Sequence, residues 1–327
     1  PETRAAYDRY GFEGVRGRPM TDFEHTPVSD LFDLFFGGGV APYLTLKEEG
    51  LLEPCRIPDE VLAAIPREGG GMEIYDADLQ WFGACLAGFG ILYNRVVLDH
   101  LGLPVPQTWD DMARPRYLSW VGSGDPRSSG SIHMVYEIIA QAYGWRRGWG
   151  VIVRMGGNIR GFSRAASQVP KDCAIGEIAC GMAIDVYARR QIAEAGTDRM
   201  GFGLPPRLTS VNPDAIGVLK GAPNRELAQR FVEFVLSDAG QKLWLLKQRA
   251  PGGPQRFELG RMSVIPGFAE RCGEHAAVEG DPFAWMGDFV YDAEKGGRRW
   301  TILNDLIGAC VGAAVVGRQR DVQRIVI

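Results

Sequence analysis

The residues best suited to chemistry form a small, polar, glycine-rich loop that leads directly into an apolar helix. The loop reads Gly-Ser-Gly-Asp-Pro-Arg-Ser-Ser-Gly-Ser over residues 122–131, and Ile-His-Met-Val-Tyr-Glu-Ile-Ile follows over residues 132–139. The first N–H groups of a helix lack intrahelical partners and lie at the positive end of the helix dipole. Serine hydroxyls and a glycine beside them, with no acidic residue in the first turn, indicate an anion-binding site. The alternative is an ordinary serine N-cap on a core helix.

The bulk composition excludes several classes of function. The chain has 327 residues, which is enough for two lobes with separate cores. A formal net charge of −4 argues against a nucleic-acid binder, and no apolar run reaches membrane-spanning length. The four His and six Cys show no metal-ligand spacing, although Cys173 and Cys180 could pair. We find no nucleophile–base pair and no phosphate-loop lysine motif, and therefore expect no enzyme.

Apolar strands alternate with helices along the chain, which predicts an α/β fold with open, mostly parallel sheets covered by helices. Ligands of such sheets bind at the carboxyl ends of strands, beside helix N-termini. A helix that follows Asn224 is expected to bury Ala228, Phe231, Val232 and Val235. The other predicted strands lie at residues 31–36, 81–94, 117–122 and 213–219. The other predicted helices lie at residues 40–50, 131–143 and 237–247, and a short one opens at residues 108–111 with Thr108 as its N-cap.

Several phrases, none decisive alone, follow one another in an order and spacing that identify a family. From about Phe35 to Ala309 the chain resembles the periplasmic solute-binding proteins of ABC importers, and most closely the group that includes the ferric-iron binders. The resemblance implies two α/β lobes, joined by crossing strands, that close on a ligand like a hinged trap. The phrases are Phe-Phe-Gly-Gly-Gly at 35–39, Gly-Leu-Leu-Glu-Pro at 50–54, Phe-Gly-Ile-Leu-Tyr-Asn at 89–94, Pro-Gln-Thr-Trp-Asp-Asp at 106–111, Asp-Pro-Arg-Ser-Ser-Gly-Ser at 125–131, Asp-Ala-Ile-Gly-Val-Leu-Lys-Gly-Ala-Pro-Asn at 214–224 and Ser-Asp-Ala-Gly-Gln-Lys-Leu-Trp at 237–244.

The resemblance also implies a domain organisation and a setting. It divides the chain into an atypical N-terminal segment (1–34), a discontinuous first lobe (35–92 plus 213–327) and a second lobe (93–212). We expect a periplasmic or extracytoplasmic monomer that binds a small molecule or ion. Its partners would be the membrane subunits of an ABC importer, and it would bind no nucleic acid.

The same resemblance implies which residues line the cleft. In the ferric binders the loop at the helix N-terminus holds an anion that completes the coordination of the metal, and two consecutive Tyr supply phenolate ligands. Only Tyr187 matches here, because Val186 occupies the other position, while Asp185 could add an oxygen ligand. The ligand is therefore expected to be an organic or phosphate-bearing anion, or Fe³⁺ with an accompanying anion. The expected ligand-binding residues are Ser128, Ser129, Gly130, Ser131, Gly37, Gly38, Gly39, Trp81, Asp185 and Tyr187, with Tyr187 and Asp185 as the candidate metal ligands.

Three of these assignments have structural alternatives. The glycines at 37–39 also suit a plain strand-to-helix turn. Trp81 and Tyr187 also suit core positions.

The beginning of the chain departs from the family pattern. A solute-binding protein of this type should supply a strand, a helix and a second strand before Phe35. Residues 1–39 instead resemble the last helix of a J-domain and the Gly/Phe segment that follows it in J-domain co-chaperones. The His-Pro-Asp triplet that such co-chaperones need is absent. The second hypothesis is therefore a J-domain-derived co-chaperone or scaffold fragment without a transport role.

Overall fold

Strands and helices alternate along residues 33–285 and 289–312, which are the residues that the computed structural model describes. The strands are β1 (Leu34–Phe36), β2 (Leu52–Glu53), β3 (Glu68–Gly69), β4 (Met72–Glu73), β5 (Phe82–Asn94), β6 (Val121–Gly124), β7 (Ile159–Ser163), β8 (Cys180–Ile184), β9 (Met200–Gly203) and β10 (Val211–Leu219). The α-helices are α1 (Ala41–Glu48), α2 (Asp59–Leu62), α3 (Arg95–His100), α4 (Trp109–Met112), α5 (Gly130–Ala142), α6 (Trp145–Asn158), α7 (Gln168–Ala174), α8 (Asp185–Ala195), α9 (Arg225–Leu236), α10 (Asp238–Leu245), α11 (Phe268–Cys272), α12 (Pro282–Trp285) and α13 (Ala293–Ile307). Short 3₁₀ turns lie at Pro115–Tyr117 and Gly273–His275, and a π-helical turn at Gly308–Gly312 follows α13.

The long strand β5 runs through two lobes. Its first half pairs with β10, as far as Gly88 opposite Val211. Its second half pairs with β8, beginning with Phe89 opposite Ile184, and also with β9. The chain returns between the lobes through residues 204–210, which connect β9 to β10. The exchange of partners between Gly88 and Phe89 therefore marks the crossing point.

The sheet of each lobe is built around one end of β5. In the first lobe the strand order is β1-β10-β5, with β2 paired to the far end of β10. In the second lobe it is β5-β8-β6-β7, with β9 also on β5. Parallel pairing joins β6 to β7 and β8, whereas β5 and β10 are antiparallel to their neighbours. The predicted two-lobed α/β fold is confirmed, and its parallel character is confined to the strands around β6.

Local capping explains why the predicted helix positions are largely right. The Thr108 hydroxyl accepts from the Asp111 N–H, and the Asp111 carboxylate accepts from the Thr108 N–H, which completes a capping box at α4. Ser129 and Ser237 cap α5 and α10 in the same way, through side-chain oxygens that accept backbone N–H groups. The strand predicted at 117–122 forms later, at β6, because the chain first turns as a 3₁₀ helix at Pro115–Tyr117.

The prediction that Phe231 belongs to the core is wrong. Ala228, Val232 and Val235 of α9 are buried, but Phe231 is 40% exposed. Its ring lies 6.0 Å from that of Phe36 at the end of β1, and Phe36 lies at the same distance from Trp244 of α10. These aromatic rings form a surface cluster, because α9 turns only three of the four apolar positions inward.

A polar seam joins α5 to α13. His133 of α5 is fully buried, its ring stacks on Trp300 with centroids 3.6 Å apart, and its Nδ1 lies 2.8 Å from Asn304 Oδ1. One turn further along, the buried Glu137 carboxylate accepts from Arg299 Nη2 at 2.6 Å. Residues 213–327 were expected in the first lobe. That division stays a prediction. Because α13 contacts α5 of the second lobe, these contacts favour assigning α13 to the second lobe.

Two adjacent glycines test whether the π-helical turn after α13 packs on α6. A Cβ added at Gly156 would lie 2.3 Å from a Val311 methyl carbon, so Gly156→Ala should lower the free energy of unfolding by about 1–3 kcal/mol. Gly157→Ala is the matched control, because no atom of the described residues lies within 4 Å of its added Cβ, and the better helix propensity of Ala should raise stability by up to about 1 kcal/mol. Urea unfolding measures both variants, and equal effects would contradict the packing.

His133 should make stability fall in mild acid. Burial lowers its pKa from 6.5 to about 4, although the hydrogen bond to Asn304 opposes the shift. Between these values the unfolded chain binds a proton that the folded chain refuses, so stability falls as the pH drops from 6.5 towards 4. The free energy of unfolding should fall between pH 7 and pH 5 by about 2 kcal/mol more in the wild type than in His133→Gln. Parallel pH profiles of the two proteins in urea unfolding would contradict this assignment.

Candidate functional site

The amino end of α5 carries backbone donors that nothing in the helix satisfies. The Ser129 hydroxyl at the N-cap accepts from the Ile132 N–H at 3.4 Å, and the Ser128 hydroxyl donates to the Arg164 carbonyl at 2.8 Å. The N–H groups of Gly130 and Ser131 belong to the first turn, where no carbonyl of the helix can accept from them. Gly130 is exposed, and the first turn holds no acidic residue. This end of the helix can therefore receive an anion.

The glycine turn at residues 37–39 offers a second set of accessible backbone groups. All three glycines have positive φ angles, of 93°, 91° and 72°, which residues with a side chain rarely adopt. No atom of the residues that the structure describes lies within 4 Å of where their Cβ atoms would be. The Gly37 N–H donates to the Ala215 carbonyl at 2.7 Å, which ties the turn to β10. The turn thus combines a fixed backbone with open space around it.

Three of the predicted segments adjoin one hydrophobic core that spans both lobes. Val40 and Tyr43, which follow the glycine turn, belong to the same buried cluster as Ile132 of α5 and Ile184, which precedes α8. Val186 packs against this cluster as well. These three segments therefore adjoin one extended buried cluster, which reaches from the first lobe across the junction of the lobes to Met155 and Val311.

Asp185 lies inside that junction rather than in open space. It is fully buried, and its Oδ1 accepts from the Val186 N–H at 2.8 Å. Its Oδ2 lies 3.8 Å from Arg189 Nε, one turn along α8. Burial raises the pKa of this carboxyl, while Arg189 and Arg261 act in the opposite direction. The arrangement uses Asp185 as an internal ion-pair partner and does not present it to a metal ion.

The two predicted aromatic residues have opposite environments. Trp81 is fully buried, its ring centroid is 6.3 Å from that of Tyr43, and its Nε1 has no partner among the described residues. It therefore fits the core alternative. Tyr187 of α8 is 40% exposed, so its phenol is accessible to a ligand and does not fit the core alternative.

Arg261 is a charged residue of the junction that the sequence did not single out. Its Nε donates to Cys85 Sγ at 3.2 Å, and its Nη2 binds the Asp214 carboxylate, so the first lobe holds the guanidinium in place. Burial acts to lower its pKa, but Cys85 and the second-lobe groups Asp185 and Tyr187 raise it, and the pKa ends above its usual value. Arg261 thus carries a permanent positive charge where the lobes meet. Its partners are distant in sequence, so no local motif could have revealed it.

Cysteines and acidic residues supply no metal site in the part of the chain that the structure describes. No group of three or more His, Cys, Asp or Glu residues is arranged to hold an ion there. The six Cys are free thiols, so Cys173 and Cys180 do not form the disulfide that their spacing permitted.

A separate cavity of about 400 Å³ opens on the second lobe, between β6, β7 and α7. Arg160 at its rim is paired with Glu177 at 2.7 Å. None of the residues predicted to bind ligand lines it.

Comparisons with known proteins agree with this fold. No helix among the described residues is long and apolar enough to cross a membrane. The iron-bound protein HitA from Pseudomonas aeruginosa superimposes with a TM-score of 0.65 at 18% identity, covering 93% of this chain and 94% of that one. The periplasmic binding protein AfuA from Actinobacillus pleuropneumoniae, solved with fructose-6-phosphate bound, has a TM-score of 0.62 at 20% identity, with 88% and 86% covered. At these identities the likeness shows the two-lobed periplasmic-binding-protein fold and no more.

A curated relative is closer in sequence over a shorter span. The phosphoglycerate transport regulatory protein PgtC from Salmonella typhimurium is 30% identical over 158 residues, which are 48% of this chain and 39% of the relative. The alignment therefore spans about two fifths of that relative's length.

A family model decides between the two relationships considered from the sequence. The resemblance of residues 1–39 to a J-domain co-chaperone finds no support in any of these comparisons, and residues 1–32 lie outside the described part. The model for bacterial extracellular solute-binding proteins matches residues 28–271, well over half of the chain. The chain therefore belongs to the bacterial extracellular solute-binding protein family.

Proposed function

We propose that this protein captures a small organic anion carrying a phosphate group between its lobes and delivers it to the membrane subunits of an ABC importer. The observation that carries the proposal is the open amino end of α5. Two first-turn N–H groups there have no helical acceptor, and the helix dipole favours a negative charge beside them. The protein would act outside the cytoplasm, as a monomer and without catalysis.

Exposed groups on both lobes support an anionic ligand. From the second lobe, Tyr187 is 40% exposed and its phenol can donate a hydrogen bond to an anion. The glycine turn at 37–39 offers backbone donors from the first lobe, in a conformation that leaves them unobstructed. A ligand held by these groups and by α5 would contact both lobes and so favour their closure.

The relatives narrow the proposed ligand to phosphate esters. PgtC is named for phosphoglycerate transport, and AfuA was solved with fructose-6-phosphate. Both compounds, phosphoglycerate and fructose-6-phosphate, combine a phosphate with a hydroxyl-bearing carbon chain. We therefore take 3-phosphoglycerate as the first probe.

Ferric iron with an accompanying anion is the second candidate. It is favoured by the exposed phenol of Tyr187 and by the structural likeness to iron-bound HitA. It is weakened by Asp185, whose carboxylate is buried against Val186 and Arg189 and so would not serve as the second oxygen ligand.

Adding a negative charge at the start of α5 should block binding without disturbing the helix. Ser129→Asp keeps an N-cap acceptor, and Ser131→Asp places a carboxylate where the helix dipole favours it, so both variants should fold. Each should weaken the binding of 3-phosphoglycerate at least about tenfold, equivalent to about 1.4 kcal/mol, because the new carboxylate repels the phosphate. Isothermal titration calorimetry measures the change.

The matched control is Ser237→Asp, which makes the same substitution at the N-cap of α10. Ser237 also accepts a backbone N–H, from Gly240, but it belongs to a different helix in the first lobe. The affinity of the Ser237→Asp variant for 3-phosphoglycerate should stay within about twofold of that of the wild type. An equal loss in all three variants would mean that net charge, not the α5 site, controls binding. A folded wild type that binds no phosphate ester would contradict the proposed function.

Tyr187→Phe distinguishes the two candidate ligands. The substitution removes the phenolate and keeps the ring, so binding of 3-phosphoglycerate in a metal-free buffer should change by less than about threefold, a difference under 1 kcal/mol. Titration with ferric citrate should produce no phenolate-to-iron absorption band in the visible range in either protein. Such a band in the wild type, lost in Tyr187→Phe, would establish ferric iron as the ligand instead.

A further inference from the structure

The helix α13 brings an indole ring to the amino end of α5. A methyl group placed on Gly130, the first residue of α5, would lie 3.7 Å from Cη2 of Trp300. The same indole stacks on His133, with a centroid separation of 3.6 Å and an interplanar angle of 27°. Gly130 and His133 are three residues apart and thus lie on one face of the helix. Trp300 therefore extends along the face of α5 that begins at its first-turn N–H groups, for which the helix has no acceptor.

His133, beneath this indole, has an unused acceptor. Its side chain is fully buried, yet Nε2 has no hydrogen-bond partner among the described residues. Burial keeps the ring neutral at pH 7, and Nδ1 lies 2.8 Å from the side-chain amide oxygen of Asn304, so Nδ1 carries the proton. Nε2 is enclosed together with the rest of the side chain, so a ligand does not reach it. The role of His133 is therefore to hold the indole of Trp300 over α5 through the ring stack.

We propose that Trp300 forms one wall of the ligand site and selects anions that carry a carbon chain over inorganic anions. The inference rests on the proposed function, which places the phosphate at the start of α5. An indole covers apolar C–H groups well and offers an inorganic anion no comparable contact. Trp300 is half-buried, so part of its side chain remains available to a ligand.

Trp300 would therefore act on the organic part of the ligand and leave the recognition of phosphate to α5. A purely structural role predicts something different, because loss of packing between α13 and α5 would disturb the phosphate site and weaken every anion alike. The ratio of two affinities separates the two roles: that for 3-phosphoglycerate and that for inorganic phosphate.

The test measures both affinities by isothermal titration calorimetry for the wild type, Trp300→Ala and Trp300→Phe. Trp300→Ala should weaken 3-phosphoglycerate binding about five- to tenfold and change the affinity for inorganic phosphate by less than twofold. Trp300→Phe should bind 3-phosphoglycerate with an affinity between those of the wild type and Trp300→Ala. It also provides the test if Trp300→Ala does not fold. The matched control is Trp145→Phe at the start of α6, whose ring contacts Arg299 of α13 but follows the carboxyl end of α5 in the chain. The affinities of this variant for 3-phosphoglycerate and for inorganic phosphate should both be unchanged.

Each outcome bears on one of the two proposals. A wild type that binds neither phosphate nor 3-phosphoglycerate would overturn the proposed function. A wild type that binds both, with Trp300 variants that lose both equally or lose neither, would leave the proposed function in place and overturn the role of Trp300 as a selective wall.

Discussion

The continuous pairing of β5 is the constraint on which the rest of the structure depends. One 13-residue strand pairs with β10 up to Gly88 and with β8 and β9 from Phe89 onward, so each lobe is built on one end of it. Nearly all of its residues are buried. A strand buried and paired along its length resists bending except where its partners change. The lobe closure that the proposed function requires would bend β5 at this crossing point, and groups near it are the ones that closure would bring together.

The polar groups near the crossing are arranged by this constraint. Asp185 begins α8 directly after β8, and Arg261 is held by Cys85 of β5 and Asp214 of β10. Asp185 faces Arg189, and Arg261 is paired with Asp214, which leaves the exposed groups, the α5 amino end and Tyr187, to meet a ligand. The ion pair of Arg261 with Asp214 contributes little net stability where it is buried, but removal of either partner leaves the other charge uncompensated. Its value here is geometric, because it fixes where the guanidinium lies.

The sequence predicted the features that depend on neighbouring residues. Ser129 and Thr108 cap helices through their own side chains, so their residue types predict where those helices begin. The continuous apolar run of β5 likewise predicts a buried strand without reference to its distant partners. Features set by tertiary contacts were missed. The contacts between α5 and α13 join residues far apart in the chain, such as His133 and Asn304, which are 171 positions apart. Asp185 was expected in the cleft from the family resemblance, and its burial could not be deduced from the residues beside it.

The most direct measurement is amide hydrogen exchange at residues 129–132, with and without 3-phosphoglycerate. First-turn N–H groups exchange quickly when only water solvates them, and a bound phosphate that accepts their hydrogen bonds slows this exchange. We expect bound 3-phosphoglycerate to slow the exchange of the Gly130 and Ser131 N–H groups, together with those of the glycine turn at 37–39 on the other lobe. Binding that leaves the Gly130 and Ser131 amides as fast as in the free protein would contradict the central claim that the α5 amino end holds the anion.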